Sequence, residues 1–221
     1  MNKPCQMTNL LALFRRCLYA TYIHAGRAAD YAIQQRNRTL YLLFEHSDGR
    51  EDWKSNLNFP ARAYQSGNER WYVHRGFLAV WKSVRDEIEK SVATILKQRQ
   101  IDEIVCIGYS HGAALCGLAM EDMTFLYGNR LSICGYGFGC PRFVFGPLPV
   151  ATKQRFERFT VIRNRPDAVT HLPPAWLGYH HVGRLYEIGE ARTYTPIDAH
   201  RPEAYIAELT KQSAQAAGRL R

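Results

Sequence analysis

No C-x-x-C pair occurs among the six cysteines of this 221-residue sequence (Cys5, Cys17, Cys106, Cys116, Cys134 and Cys140), and their spacing follows no regular framework. That excludes the common zinc and dithiol motifs and gives no sign of a disulfide scaffold. No residues stand at metal-ligand spacing, so neither a metal nor an organic cofactor is expected. No apolar stretch approaches the length of a membrane span. The short run Leu10 to Phe14 is closed by Arg15-Arg16, too short for a secretory leader. A reduced, cytoplasmic protein is the expectation. Repeats, linkers and low-complexity segments are missing too, so the chain reads as one domain over residues 1–221.

Like charges form no block either. Lys and Arg number 29 against 20 Asp and Glu, a formal net charge of +9. The basic residues are scattered, and no nucleic-acid motif accompanies them, so nucleic acid is not an expected partner. The excess reads first as solubility and second as weak contact with an anionic membrane surface. Hydrophobic residues make up 46% of the chain and charged residues 22%, which excludes disorder and leaves ample material for a core.

What is present is an alternation of helical and strand patterns. Leu10, Phe14, Cys17 and Leu18 recur at helical spacing. "TLYLLF" (Thr39 to Phe44) is an apolar strand run followed by the turn signal Ser47-Asp48-Gly49. A strand is expected near Trp71 to Val73. From Gly76 to Gln98, Phe77, Val80, Trp81, Val84, Ile88, Val92, Ile95 and Leu96 line one helical face. Strands follow at Ile104 to Ile107, Leu131 to Tyr136, Arg158 to Asn164 and Gly183 to Ile188. A helix begins at about His111, and another runs from Pro202-Glu203 to near Gly218. Helices alternating with fully apolar strands predict an α/β fold with a mostly parallel central sheet flanked by helices.

The junction "IDEIVCIGYSHGAALCGLAM" (Ile101 to Met120) places Ser110 between an apolar strand and a helix. In a parallel sheet, reactive groups collect beyond the carboxyl ends of the strands. Gly108 and Gly112 flank Ser110 in the order G-x-S-x-G, the nucleophile elbow, where small residues let the turn close and expose the hydroxyl. The backbone N–H of His111 opens the helix, where donors and dipole favour a developing negative charge.

A serine hydroxyl needs a histidine base and an acid to orient it, and in this fold they follow the serine in the order acid, then histidine. Asp167 lies in the loop beyond the strand pattern of "VIRNRPD". Of the later histidines, His171 is too near Asp167 in sequence, and His180 and His181 precede a strand. His200 lies in the last loop before the final helix and is assigned as base. Asp198 is too close to His200 to pair with it.

These residues together resemble the class 3, or fungal-type, lipases of the α/β-hydrolase fold, over about Thr39 to Leu209. "FEHSDGREDW" is similar to the family's oxyanion segment, with Phe44, Ser47, Asp52 and Trp53 in register. "VHRGFLAVW" resembles the family's His-x-Gly-Phe helix start, "GYSHGAAL" the elbow, and "YGFGCPR" the strand and turn that follow. "NRPDAVTHLPP" is similar to the segment of the acid, Asp167. "GYHHVG" resembles a non-catalytic motif, which demotes His181, and "DAHRPEAY" the catalytic histidine with its downstream tyrosine, His200 and Tyr205.

The resemblance implies a carboxylic ester hydrolase with a Ser110-Asp167-His200 triad and an acyl-enzyme, acting on ester or lipid substrates, with Ser47 and His111 as oxyanion donors. Glu45 and His46 depart from the family's Arg and Gly before Ser47. Asp48 to Asn56, where the family carries a lid, holds only Trp53 as a large apolar group, so weak interfacial activation is expected. The alternative reading is a catalytically silent relative that binds a partner or an anionic membrane surface. A third keeps the triad but performs acyl transfer or thioester cleavage.

Overall fold

The computed structural model describes residues 9–25, 29–44 and 60–218. The strands, in chain order, are β1 (Ile23–Ala25), β2 (Ala29–Arg36), β3 (Thr39–Phe44), β4 (Ala61–Ser66), β5 (Glu69–His74), β6 (Glu103–Tyr109), β7 (Ser132–Phe138), β8 (Val144–Phe145), β9 (Phe159–Asn164), β10 (Tyr179–His180) and β11 (Arg184–Ile188). The helices are α1 (Leu10–Leu18), α2 (Arg75–Gln98), α3 (His111–Tyr127), α4 (Val150–Arg155) and α5 (Pro202–Gly218).

Seven strands form the central sheet in the order β1-β2-β3-β6-β7-β9-β11. From β3 to β11 every neighbouring pair is parallel, while β1 and β2 close one edge as antiparallel strands. The middle strands are buried on both faces, which is why β6 and β7 read as unbroken apolar runs rather than alternating ones. This is the α/β-hydrolase arrangement. A second, antiparallel sheet, β10-β8-β5-β4, was not expected from the sequence, and the strand foreseen at Trp71 to Val73 belongs to it.

Each face of the central sheet carries its own core. On one, α2 and α3 bury Trp81, Val84, Ile88, Leu115 and Leu118 with Leu42 and Ile104. On the other, α1 and α5 bury Phe14, Tyr205 and Leu209 against Val105, Ile107 and Phe138. The sidedness of α1 follows its periodicity: Leu10, Phe14 and Cys17 point inward. No described helix is long and apolar enough to cross a membrane. Cys17, Cys106, Cys116 and Cys140 are buried thiols outside any disulfide, whereas Cys134 is disulfide-bonded, which departs from the expectation of a fully reduced chain.

Candidate active site

β6 ends at Tyr109 and α3 begins at His111, leaving Ser110 alone to turn the chain. Its backbone takes φ 56° and ψ −123°, a conformation that L-residues avoid at a cost of about 1–3 kcal/mol. The surroundings hold it there. The Ser110 N–H donates to the Phe138 carbonyl at 2.9 Å, and the Ala113 N–H donates to the Ser110 carbonyl at 3.0 Å. A Cβ on Gly108 would lie 2.2 Å from the Gly112 carbonyl oxygen, so helix and strand approach this closely only with glycine at 108.

Asp167 follows β9 and caps the short helical turn Ala168–His171. Its Oδ1 accepts the Val169 N–H at 2.9 Å, and its own N–H donates to the Asn164 carbonyl at 2.9 Å. His200 ends the turn Asp198–His200, directly before α5. Its Nδ1 stands 2.8 Å from Asp167 Oδ2 and its Nε2 stands 2.8 Å from Ser110 Oγ. Three segments far apart in sequence thus form one hydrogen-bonded line. Ser110 and Asp167 are fully buried and His200 is half-buried, so water competes little for these bonds.

Further side chains fix the line. The Tyr205 hydroxyl donates to Asp167 Oδ2 at 2.6 Å and accepts the Asn164 N–H at 3.1 Å. Complete burial pushes the Tyr205 hydroxyl pKa far above its ordinary value, so it remains a donor. The Tyr109 hydroxyl donates to the His200 carbonyl, and its ring stacks on the imidazole with centroids 5.3 Å apart and planes 24° off parallel. Gly139, at φ +58°, passes beside the pair: a Cβ there would lie 3.0 Å from His200 Cε1 and 3.2 Å from Asp167 Oδ2.

The remaining candidates sort plainly. His111 is the first residue of α3, so its N–H stands at the positive end of that helix beside Ser110. Ser47 lies outside the described residues, as do Glu45, His46 and the Asp48–Asn56 segment. The other late histidines are engaged elsewhere: His180 Nε2 is 2.7 Å from the Gly146 carbonyl, and His181 Nε2 is 2.8 Å from the Thr170 carbonyl. Burial lowers the pKa of His181 to about 4. Asp198 accepts from the Thr195 hydroxyl at 2.6 Å and does not enter the line. Among the described residues, no group of three or more His, Cys, Asp or Glu could hold a metal ion.

The pattern that defines Lipase (class 3) matches residues 41–176, more than half of the chain. The chain belongs to the class 3 lipases. Among relatives of this lipase family, the lipase of Rhizomucor miehei is 32% identical over 160 residues, covering 68% of this chain and 42% of that protein. The secreted mono- and diacylglycerol lipase A of Penicillium cyclopium is 28% identical over 163 residues, covering 73% of this chain and 52% of that one. The chain therefore spans about half the length of these relatives. A triacylglycerol lipase whose catalytic centre is a serine protease triad superposes with a TM-score of 0.64 at 25% identity, covering 77% of this chain and 66% of that one.

Two residues that hold the candidate site are not evident from the sequence. Tyr109 fills the variable place before the elbow serine, where only its position as the last residue of a strand hinted at contact with the site. Gly139 was visible inside "YGFGCPR", but nothing in the pattern tied it to His200.

Proposed function

We propose that this class 3 lipase hydrolyses carboxylic esters with Ser110 as nucleophile, His200 as general base and Asp167 as the group that orients the imidazole. The observation that carries the reading is the continuous line from Ser110 Oγ through both ring nitrogens of His200 to Asp167 Oδ2, with 2.8 Å at each step. Asp167 takes the Nδ1–H, which leaves the Nε2 lone pair facing the serine hydroxyl. As Oγ adds to the acyl carbonyl, its proton passes to Nε2, and Asp167 stabilises the imidazolium that forms. The same proton then goes to the leaving alcohol, and water releases the acyl group by the reverse relay.

The tetrahedral oxyanion needs donors in place before the reaction. The His111 N–H at the start of α3 is one. Ser47 is assigned as the second on the resemblance to the family's oxyanion segment. The substrate class is an ester or lipid ester, in keeping with the named activities of the relatives.

Labelling with a fluorophosphonate probe, followed by mass-spectrometric mapping, tests the assignment. The adduct is expected on Ser110, and Ser110→Ala is expected to lose both the adduct and turnover of chromogenic esters while melting like the parent. Full turnover by Ser110→Ala would remove the serine from the mechanism. An unlabelled protein that binds anionic vesicles in a salt-sensitive way would favour the silent relative instead.

A further inference from the structure

A groove of about 460 Å³ runs beside α1, lined by residues of that helix and by Gln34 and Arg36 of β2. Arg15, Arg16 and Arg36 line it, and among the described residues no Asp or Glu does. Arg16 is held in place: its Nη1 donates to Gln34 Oε1 at 3.1 Å, and its guanidinium lies 4.2 Å over the Tyr41 ring. The side chains of Arg15 and Arg36 have no ion-pair or hydrogen-bond partner among the described residues. The groove also takes in the first turn of α1. Ala12 is the first residue there whose N–H finds an acceptor, Asn9, and the N–H of Leu11 precedes it at the positive end of the helix.

Three like charges lining one groove repel one another, and a bound anion would relieve that repulsion. Among the described residues no acid is paired with Arg15 or Arg36, so an anion from solution can take that place. A guanidinium offers paired donors in a plane, a shape that fits two oxygens of a phosphate. A groove lined by several arginines and a helix's first turn suits a tetrahedral dianion, which carries more charge and more acceptor oxygens than a carboxylate. Tyr19, 74% exposed, stands at the rim as an apolar surface with a polar tip.

We propose that this groove binds a phosphate monoester, recognised by Arg15, Arg16 and Arg36. The phosphate can arrive as a soluble ester or as the headgroup of an acidic phospholipid. The site is separate from the triad, because the opposite face of α1 carries Phe14 and Cys17 into the core. The proposal therefore stands or falls independently of ester hydrolysis.

The test compares the wild type with R15Q/R36Q and with R99Q/R184Q, which removes the same charge from exposed arginines elsewhere. Calorimetric titration with glycerol 1-phosphate addresses the soluble source. Sedimentation with phosphatidylcholine vesicles, with and without phosphatidic acid, addresses the membrane source. Thermal melts establish that all three proteins fold. Binding in at least one arm is expected for the wild type and R99Q/R184Q, weakened at least tenfold in R15Q/R36Q. Response in the first arm identifies a soluble ester, and response confined to the second identifies a headgroup. Failure of the wild type in both arms, or equal weakening in both variants, would overturn the proposal.

Discussion

At the scale of single residues, the candidate site depends on how closely the backbone passes His200 and Asp167. Gly139 is one such place. An alanine there would adopt φ +58° at a cost of about 1–2 kcal/mol, and its methyl would press on His200 Cε1 from 3.0 Å. Tyr109 stacks on the imidazole and grips the His200 carbonyl, so the ring cannot yield without breaking those contacts. The strain should therefore appear as misplacement of Nε2 from Ser110. Gly139→Ala is expected to lower kcat by about ten- to a hundredfold, the range that a displacement near 1 Å can cause, while the melting temperature falls only modestly. Steady-state ester hydrolysis beside a circular-dichroism melt checks this. A variant that melts lower yet turns over at the parental rate would show that the imidazole has room to move.

At the scale of elements, α2 shows how one side chain ties a helix to proton concentration. His74 precedes the helix, and its Nδ1 accepts the Gly76 N–H at 3.2 Å. Only the neutral ring has a lone pair for that bond. Burial, and then the charge of Arg75, lower the pKa of His74 to about 4. The unfolded value is about 6.5, so between the two the unfolded chain holds a proton that the folded one lacks. The contribution is complete above about 6.5 and is lost as pH falls through about 4. His74→Asn keeps a capping acceptor that does not titrate. Its melting temperature should thus drop less than that of the wild type between about pH 7 and pH 4.5, as followed by thermal melts. Equal drops would mean that the ring titrates alike in both states.

The same elements show what the sequence could reveal. α2 was legible from its long helical periodicity, and β6 and β7 from their unbroken apolar runs. β2 carries Gln34, Gln35 and Arg36, and β4 carries Arg62, Gln65 and Ser66, so neither has a clear period. Both are antiparallel strands toward a sheet edge, where one face meets solvent. Ser110, Asp167 and His200 were readable from their order and from the loops that carry them. The contact of Tyr109 with the His200 carbonyl joins positions 91 residues apart, and no local pattern encodes such a closure.

At the scale of the whole molecule, the two cores differ in the charge they contain. The α2–α3 side buries Asp122 completely, beneath Tyr64, Trp81 and Arg85. Burial opposes ionisation and outweighs the Tyr64 hydrogen bond, the Arg85 charge and the Trp81 N–H, leaving the carboxyl pKa raised to about 7. The unfolded value is about 3.9, so in the interval between them the folded protein binds a proton that the unfolded chain has released. Stability from this group is full below about 3.9 and is lost as pH rises through about 7, opposite in sign to the effect of His74. Asp122→Asn removes that titration and keeps an oxygen to accept from Tyr64 and Trp81. It also leaves Arg85 without its buried partner, so the variant can be less stable at every pH, and only the trend is diagnostic. The melting temperature of the variant minus that of the wild type should grow more positive from about pH 5 to about pH 8. A difference that stays flat across that interval would show that Asp122 ionises in the core as it does in water.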